Sequence, residues 1–570
     1  MRTIAVTAAV IAALATGCSA PTRMDRPDFL ASEIRITTHA APDDLVSAGL
    51  GLDGLRAQLP PAVAQAEAPT AAELRRRAIY ANWRGIAHLY DPKASTLASV
   101  PGREYAAFVA GAGGAVAHRV LAQVPDAFDR RKRCLVVAPA SGSRGVYGAI
   151  ALAGAWALPR GCVVVYTDKG AGTGLFDFDS DTGVALDGTR VARGAAPIEF
   201  DPGHGPAAPH AVAFKHAHSG ANPEADWGRL TLEAARFGLH ALDLAFPDAA
   251  PFTPENTRVI AAGLSNGGGA VLRASEADSE GLIDAVVAAA PNVLPPGARP
   301  LFDLASEAAL LQPCALLAQP DLPHLVVEPV WRAVAAARCA TLAERGLVSR
   351  GAPEIQADEA LARLHDSGWT NGPLALGGIH LGTDLWRAIL ASYAQAYARA
   401  PAAAPVCGYS FAPLDPAGAP RAATAAERAL WWSDASGIAS TAGIGIVDAG
   451  LALPDVHAKG LACVRALWAG DDAAARTLRA SIEATRANAR PRARYVHVVH
   501  GADDSLIPVA HTSRRYVEAA RANGIAVIYD EIAHAQHFDA FLAFPQLAGR
   551  YVPLLPAAHA ALDRAWSALE

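Results

Sequence analysis

Residues 257–272 read TRVIAAGLSNGGGAVL, an apolar run that stops at a serine set among glycines. Three kinds of structure use such a glycine cluster, and each demands different neighbours. A Walker-type phosphate loop needs Lys followed by Ser or Thr after the last glycine, where this chain has Ala270 and Val271. A dinucleotide-binding GxGxxG fails as well, because Leu264 and Ser265 occupy its first interval. A flexible linker would not follow VIAAG, whose residues belong in a sheet. What fits is GxSxG over residues 263–267: a serine at a sharp strand-to-helix turn, flanked two residues away on either side by positions without bulk. Such a turn lifts the Ser265 hydroxyl above the sheet and sets the Asn266 amide at a helix start, aimed to donate to an oxyanion.

A serine hydroxyl is a weak nucleophile unless a base takes its proton, and the base needs an acid to fix its tautomer. In this type of fold the partners follow in the order Ser, Asp or Glu, His. The stretch YVHVVHGADDSLIP is a strand and a turn that offers Asp504 as the acid, with Asp503 as its neighbour. Solvated turn carboxylates are the alternative reading of that pair. EIAHAQHFDAF offers two histidines. His537 is the better base, since it opens an apolar HF pair leading into a helix whereas His534 directly ends the strand. A second oxyanion donor is expected in the loop APASGSRGVYG, from the backbone of Gly142 or Ser143, with Arg144 and Tyr147 as candidate substrate contacts.

The rest of the 570-residue chain bounds the reading. A formal charge of −6, with no dense basic run, argues against nucleic acid and favours an uncharged or weakly charged substrate. Residues 1–20, MRTIAVTAAVIAALATGCSA, have a positive start, a short apolar segment and small residues, the order of an export signal. LATGC resembles a bacterial lipoprotein box, which would make Cys18 a lipidated membrane tether. Simple cleavage, giving a secreted or periplasmic protein, is the alternative. Six cysteines remain, an even number in an exported chain, so one or more disulfides are expected. Cys134 and Cys162, each opening an apolar run, read as buried thiols. The pairing among Cys314, Cys339, Cys407 and Cys463 stays open.

Along the chain, EYAAFVAGAGGAVAHRVLAQVP reads as a hairpin, and RCLVVAPA, GCVVVYTD, RVIAAG and IDAVVAAAP are apolar runs without alternation. Strands of a parallel sheet covered on both faces show that pattern. The expected fold is α/β, of the α/β-hydrolase type: a mostly parallel sheet flanked by helices. Its expected parts are a signal over 1–20, an N-terminal extension over 21–100, core over 101–292, an inserted helical cap over 293–430 and core again over 431–570.

GLSNGGGAVLRA, ASGSRGVYGAIALA, VVYTDKGAGTG, KHAHSGANPEADWG and AQHFDAF together resemble the bacterial D-3-hydroxybutyrate oligomer hydrolase family, from about residue 100 to the end. The resemblance implies an exported serine esterase that cuts short 3-hydroxybutyrate oligomers, with the family's nucleophile falling on Ser265. A feruloyl-esterase or tannase-like carboxylesterase acting on aromatic esters is the enzymatic alternative, and an inactive binding protein on the same fold is the other. The mechanism needs no cofactor. No metal is expected either: Asp177, Asp179 and Asp181 alternate as in a calcium loop, but Thr182 and Gly188 stand where glycine and glutamate are required. His216 and His218 lack a third ligand at helical spacing, which favours an active-site loop or the surface. Trp431 and Trp432 read as core.

Overall fold

The non-alternating apolar runs form the middle of a nine-stranded sheet in a computed structural model that describes residues 27–90, 96–111, 116–203, 205, 208–434, 439 and 441–570. The signal over 1–20 and the Cys18 tether lie outside the described residues. The strands of this sheet are β1 (Arg35–His39), β2 (Gly102–Val109), β3 (His118–Pro125), β4 (Cys134–Pro139) and β5 (Val163–Asp168) from the first part of the chain. Four short strands, β6 (Leu175–Asp177), β7 (Thr182–Val184), β8 (Arg190–Ala192) and β9 (Val212–Phe214), make a separate small sheet. β10 (Arg258–Leu264) and β11 (Ala285–Ala289) return to the large sheet, as do β14 (Tyr495–Gly501) and β15 (Ile528–Ile532). Between them β12 (Tyr409–Pro413) and β13 (Ile444–Asp448) pair as an antiparallel ribbon.

The order across the large sheet is β1-β2-β3-β5-β4-β10-β11-β14-β15. β1, β2 and β3 run antiparallel to their neighbours, and every pair from β5 to β15 is parallel. A sharp serine turn at the end of β10, in the middle of the parallel part, completes the α/β-hydrolase arrangement. β4 and β11 are buried at every position. The reason is cover on both faces, by one apolar cluster that includes Val136, Ile260 and Val287 and by another that includes Val137, Ala261 and Val286.

Two boundaries differ from the sequence expectation. The N-terminal extension is part of the sheet, because β1 pairs along β2 from Arg35–Ala106 to His39–Gly102. The helix Ala71–Ile86 begins at a capping box of Thr70 and Glu73 and lies against the sheet. The insertion does not stop at residue 430. It runs from the end of β11 to the start of β14, and the β12–β13 ribbon and the helices Ala458–Ala469 and Ala473–Glu483 belong to it. Their apolar residues, among them Leu461, Val464 and Leu478, complete the cap's core, so the change of composition near 430 marks no structural border. Within the cap, Leu301–Ala318 is apolar and long enough to cross a membrane by composition, and 72% of it is buried inside the protein.

The cysteines also depart from expectation. Cys134 and Cys162 are not free thiols but a disulfide, with Cα atoms 4.7 Å apart. Cys134 opens β4 and Cys162 immediately precedes β5, its parallel neighbour, so strand pairing itself brings the two together. Cys314 bonds Cys339 and Cys407 bonds Cys463, both within the cap. Trp431 and Trp432 are buried as expected, at 1% and 5% exposure.

The Cys134–Cys162 bridge spans 28 residues, and closing a loop of that size in the unfolded chain contributes about 3–4 kcal/mol. Cys134→Ala with Cys162→Ala should therefore lower the unfolding free energy by roughly that amount, measured by urea titration. Thiol titration of the denatured, unreduced protein should detect none of the six cysteines.

Candidate active site

β10 ends at Leu264, and Ser265 then takes φ 63° and ψ −125°, a conformation that side chains ordinarily avoid. Clearance around the turn makes it tolerable. A Cβ on Gly263 would lie 2.2 Å from the Gly267 carbonyl oxygen, and one on Gly267 would lie 2.4 Å from that of Pro139. The helix Asn266–Ala277 starts directly after the serine, so the Asn266 N–H sits among the unsatisfied donors of a helix N-terminus.

The turns after β14 and β15, neighbouring parallel strands, bring the acid and the base to this point. His537 Nε2 lies 2.9 Å from Ser265 Oγ, and His537 Nδ1 lies 2.6 Å from Asp504 Oδ2. A nitrogen that close to a carboxylate carries the hydrogen, so Nδ1–H donates to Asp504 and Nε2 accepts from the serine hydroxyl. Asp504 is fully buried. Burial alone would raise its carboxyl, yet the fields and hydrogen bonds of His537 and His500 hold it well below the usual carboxylate range. Its other oxygen accepts the N–H groups of Leu506, at 2.9 Å, and Ile507, at 2.7 Å.

His500 is the residue that sequence reasoning missed. Its Nε2 lies 3.0 Å from the same Asp504 Oδ2, and its Nδ1 lies 2.6 Å from Ser513 Oγ. Four residues before the acid on the end of β14, it was visible only as the second histidine of HVVHG. His534, the rejected base, is 75% exposed and stands 3.5 Å from Asp503.

A second buried cluster holds Asn266. Its side-chain Nδ2 donates to Glu224 Oε2 at 2.5 Å, and its Oδ1 accepts from Asn292 Nδ2 at 3.0 Å and from the Tyr393 hydroxyl at 3.3 Å. Glu224 also binds Lys169 and, at 2.6 Å, His216 Nε2. Burial would raise the Glu224 carboxyl, but Lys169 and His216 hold it far below its ordinary value. Burial pushes the His216 imidazole down, against the pull of Glu224. His216 thus belongs to the site through Glu224, and its ring packs edge-on against Tyr393 at 4.9 Å.

Gly142 and Ser143 line the same cavity as Ser265 and Asn266. A Cβ on Gly142 would lie 2.6 Å from the Tyr393 hydroxyl and 3.1 Å from Asn266 Oδ1, so the bare glycine leaves room for the cap tyrosine to pack between this loop and the elbow. Arg144 and Tyr147 do not line it. The chain turns from Ser143 into a short helix, Val146–Ala149, packed under the helix Ala71–Ile86. There Arg144 donates to the Gly85 carbonyl at 3.1 Å, and burial pushes its guanidinium down to about 10. The Tyr147 hydroxyl donates to Glu104 at 2.9 Å. Both are structural residues on the far side of the loop.

The cavity over Ser265 is about 150 Å³ in volume. Its walls are largely apolar, with Phe302, Trp386, Ile389 and Tyr393 from the cap facing Ile507 and Phe538 from the core. Among the described residues no three or more His, Cys, Asp or Glu side chains are grouped to hold a metal ion. Asp177 pairs with Arg428 at 2.6 Å, Asp179 with His210 at 2.7 Å and Asp181 with Arg193 at 2.9 Å, so the calcium-like spacing serves ion pairs.

A family model described as 3HB-oligomer hydrolase (3HBOH) matches residues 10–570. The D-(-)-3-hydroxybutyrate oligomer hydrolase of Paracidovorax citrulli (strain AAC00-1) is 39% identical over 625 residues, covering 95% of this chain and 87% of that protein. The protein of the same name from Burkholderia cenocepacia (strain HI2424) is 37% identical over 596 residues, covering 93% and 85%. Among solved structures, feruloyl esterase B from Aspergillus oryzae is 14% identical with a TM-score of 0.35, covering 78% of this chain and 75% of that one.

Because the Asp504 carboxyl is depressed in the folded state, its contribution to stability is present above the unfolded value near 4 and is lost as pH falls toward the folded value. Asp504→Asn should cost about 3 kcal/mol at neutral pH by breaking a buried charged cluster. It should also flatten the fall of unfolding free energy below about pH 4, which denaturant titrations at a series of pH values would reveal.

Proposed function

The chain belongs to the 3HB-oligomer hydrolase family and is a carboxylic ester hydrolase, and from that premise we propose that it cleaves short, soluble D-3-hydroxybutyrate oligomers to monomers through a covalent acyl-enzyme. The observation that carries the mechanism is the pair of contacts on His537, 2.9 Å to the Ser265 hydroxyl and 2.6 Å to the Asp504 carboxylate.

In this reading Ser265 Oγ attacks the ester carbonyl carbon while His537 Nε2 takes its proton. Asp504 keeps the imidazole in the tautomer that leaves Nε2 free and stabilises the imidazolium that forms. The carbonyl oxygen becomes an oxyanion, received by the Asn266 N–H and by an N–H of the Gly142–Ser143 loop. Collapse of the tetrahedral intermediate breaks the C–O bond, and His537 passes its proton to the leaving hydroxyl. Water then attacks the acyl-enzyme by the same steps, giving free acid and regenerating Ser265. Glu224, through the Asn266 side chain, keeps the first oxyanion donor in place. This route needs no cofactor.

Substrate length follows from the roof. Cap residues such as Trp386 and Tyr393 close over the serine, which supports chains of two or three units over the face of a solid polymer. Export is part of the proposal: three disulfides among the described residues support folding in an oxidising compartment.

Ser265→Ala and His537→Ala should each lower kcat for p-nitrophenyl butyrate by at least about 10⁴-fold, and a fluorophosphonate probe should label Ser265 alone. Asp504→Asn should cost about 10⁴-fold and Asp503→Asn little. Activity should fall on acidification, because an imidazolium cannot accept the serine proton. For the substrate, chromatography should show monomer released from dimers and trimers and little from crystalline polymer. Inert dimers beside cleaved feruloyl esters would overturn the reading, and no turnover of any ester would leave a binding protein.

A further inference from the structure

The cavity over Ser265 extends along the helix Asn266–Ala277 to Arg273, about two helical turns from the serine. Among the described residues that line it, Arg273 is the one lysine or arginine. Its guanidinium is anchored by main-chain oxygens: Nη1 donates to Glu224 O at 2.8 Å, and Nη2 donates to Ala225 O at 2.7 Å and Ala484 O at 3.3 Å. These acceptors are neutral, so they fix the group without cancelling its charge.

The two nearest buried carboxylates are engaged elsewhere. Glu224 is bound to Lys169, His216 and Asn266. Glu276 accepts from the N–H groups of Asn488 and Ala489 and from the Tyr516 hydroxyl. Arg273 Nε–H makes no hydrogen bond to a described residue. Neither does the hydroxyl of Tyr397, a buried residue on the same wall, packed edge-on against Phe302 at 5.9 Å. Burial pushes the Arg273 guanidinium down and the Tyr397 phenol up, the signature of a weakly solvated pocket in which an incoming anion would be held firmly.

A hydroxybutyrate oligomer carries one charge, the carboxylate at its acid end. Four main-chain bonds per unit span roughly 5 Å, so that end lies roughly 5–10 Å beyond the ester under attack in a dimer or trimer. A helical side chain leans toward the helix N-terminus, which brings the Arg273 head back toward Ser265. We propose that Arg273 and the Tyr397 hydroxyl bind the free carboxylate of the substrate, on the leaving-alcohol side of the scissile ester, and so make this enzyme a reader of chain acid ends. The proposal rests on the hydroxybutyrate-oligomer reading above. It also supplies a second reason for preferring oligomers, since a long polymer presents few acid ends.

The test is the ratio of kcat/KM for 3-hydroxybutyrate trimer to that for its methyl ester, each pair measured on one preparation so that the active fraction cancels. Wild-type protein should favour the free acid at least tenfold. Arg273→Gln should bring the ratio to within twofold of one, mainly through KM of the acid. Arg273→Lys should retain part of the preference, and Tyr397→Phe, which removes only the hydroxyl, should reduce it severalfold. Equal wild-type rates on acid and ester, or a ratio that survives Arg273→Gln, would overturn the assignment. If both trimers are inert while p-nitrophenyl butyrate is cleaved, the underlying substrate reading falls and this one with it.

Discussion

A serine held at φ 63° can exist only where the backbone around it has no side chains to collide with, and that constraint organises the centre of this molecule. Gly263 faces the Gly267 carbonyl, and Gly267 faces that of Pro139, each with less than 2.5 Å to spare for a Cβ. The elbow therefore fixes how closely its own helix approaches β10 and how closely both approach the end of β4. Because β4 runs directly into the Gly142–Ser143 loop, the same contact that permits the strained serine also sets the distance from that serine to the loop.

Two buried carboxylates then hold the elbow from opposite sides. Asp504 acts through His537 on the serine hydroxyl, while Glu224 acts through the Asn266 side chain on the residue whose N–H adjoins it. A buried carboxylate is tolerated only when charge and hydrogen bonds replace the water it has lost. Here Asp504 has two imidazoles and two amides, and Glu224 has Lys169, His216 and Asn266. Such networks are rigid because each missing partner leaves a buried polar group unsatisfied. Tyr393 carries the constraint into the cap: its hydroxyl reaches Asn266 Oδ1, so roof and elbow share a hydrogen bond. The geometry over the serine is thus set jointly by core and insertion.

The features legible in the sequence are those that local chain geometry dictates. GLSNG marks the elbow because only small residues close that turn, and the apolar runs mark strands covered on both faces. Asp504 and His537 follow from chain order and from their places after strand-like runs. The features that escaped are meetings between distant segments. His500 looks like any strand histidine until the turn after β14 folds Asp504 back onto it. Glu224 is one acid at the start of a long helix, and its contacts with Lys169 and Asn266 exist only once three elements have packed. Arg144 and Tyr147 were misread for the same reason, since composition places them in the right loop but not on which side of it.

The sequence by itself determined the α/β order, the elbow serine and the order of its partners, because turn sterics and strand burial act over a few residues. Tertiary structure decided that Cys134 and Cys162 bond, since their distance depends on β4 and β5 becoming neighbours. It decided that β1 joins the sheet and that the cap runs on to β14. It also set the Arg273 guanidinium, held by main-chain oxygens, on the cavity wall. Each of these depends on which surfaces meet after collapse, and burial free energy summed over many distant residues selects those meetings.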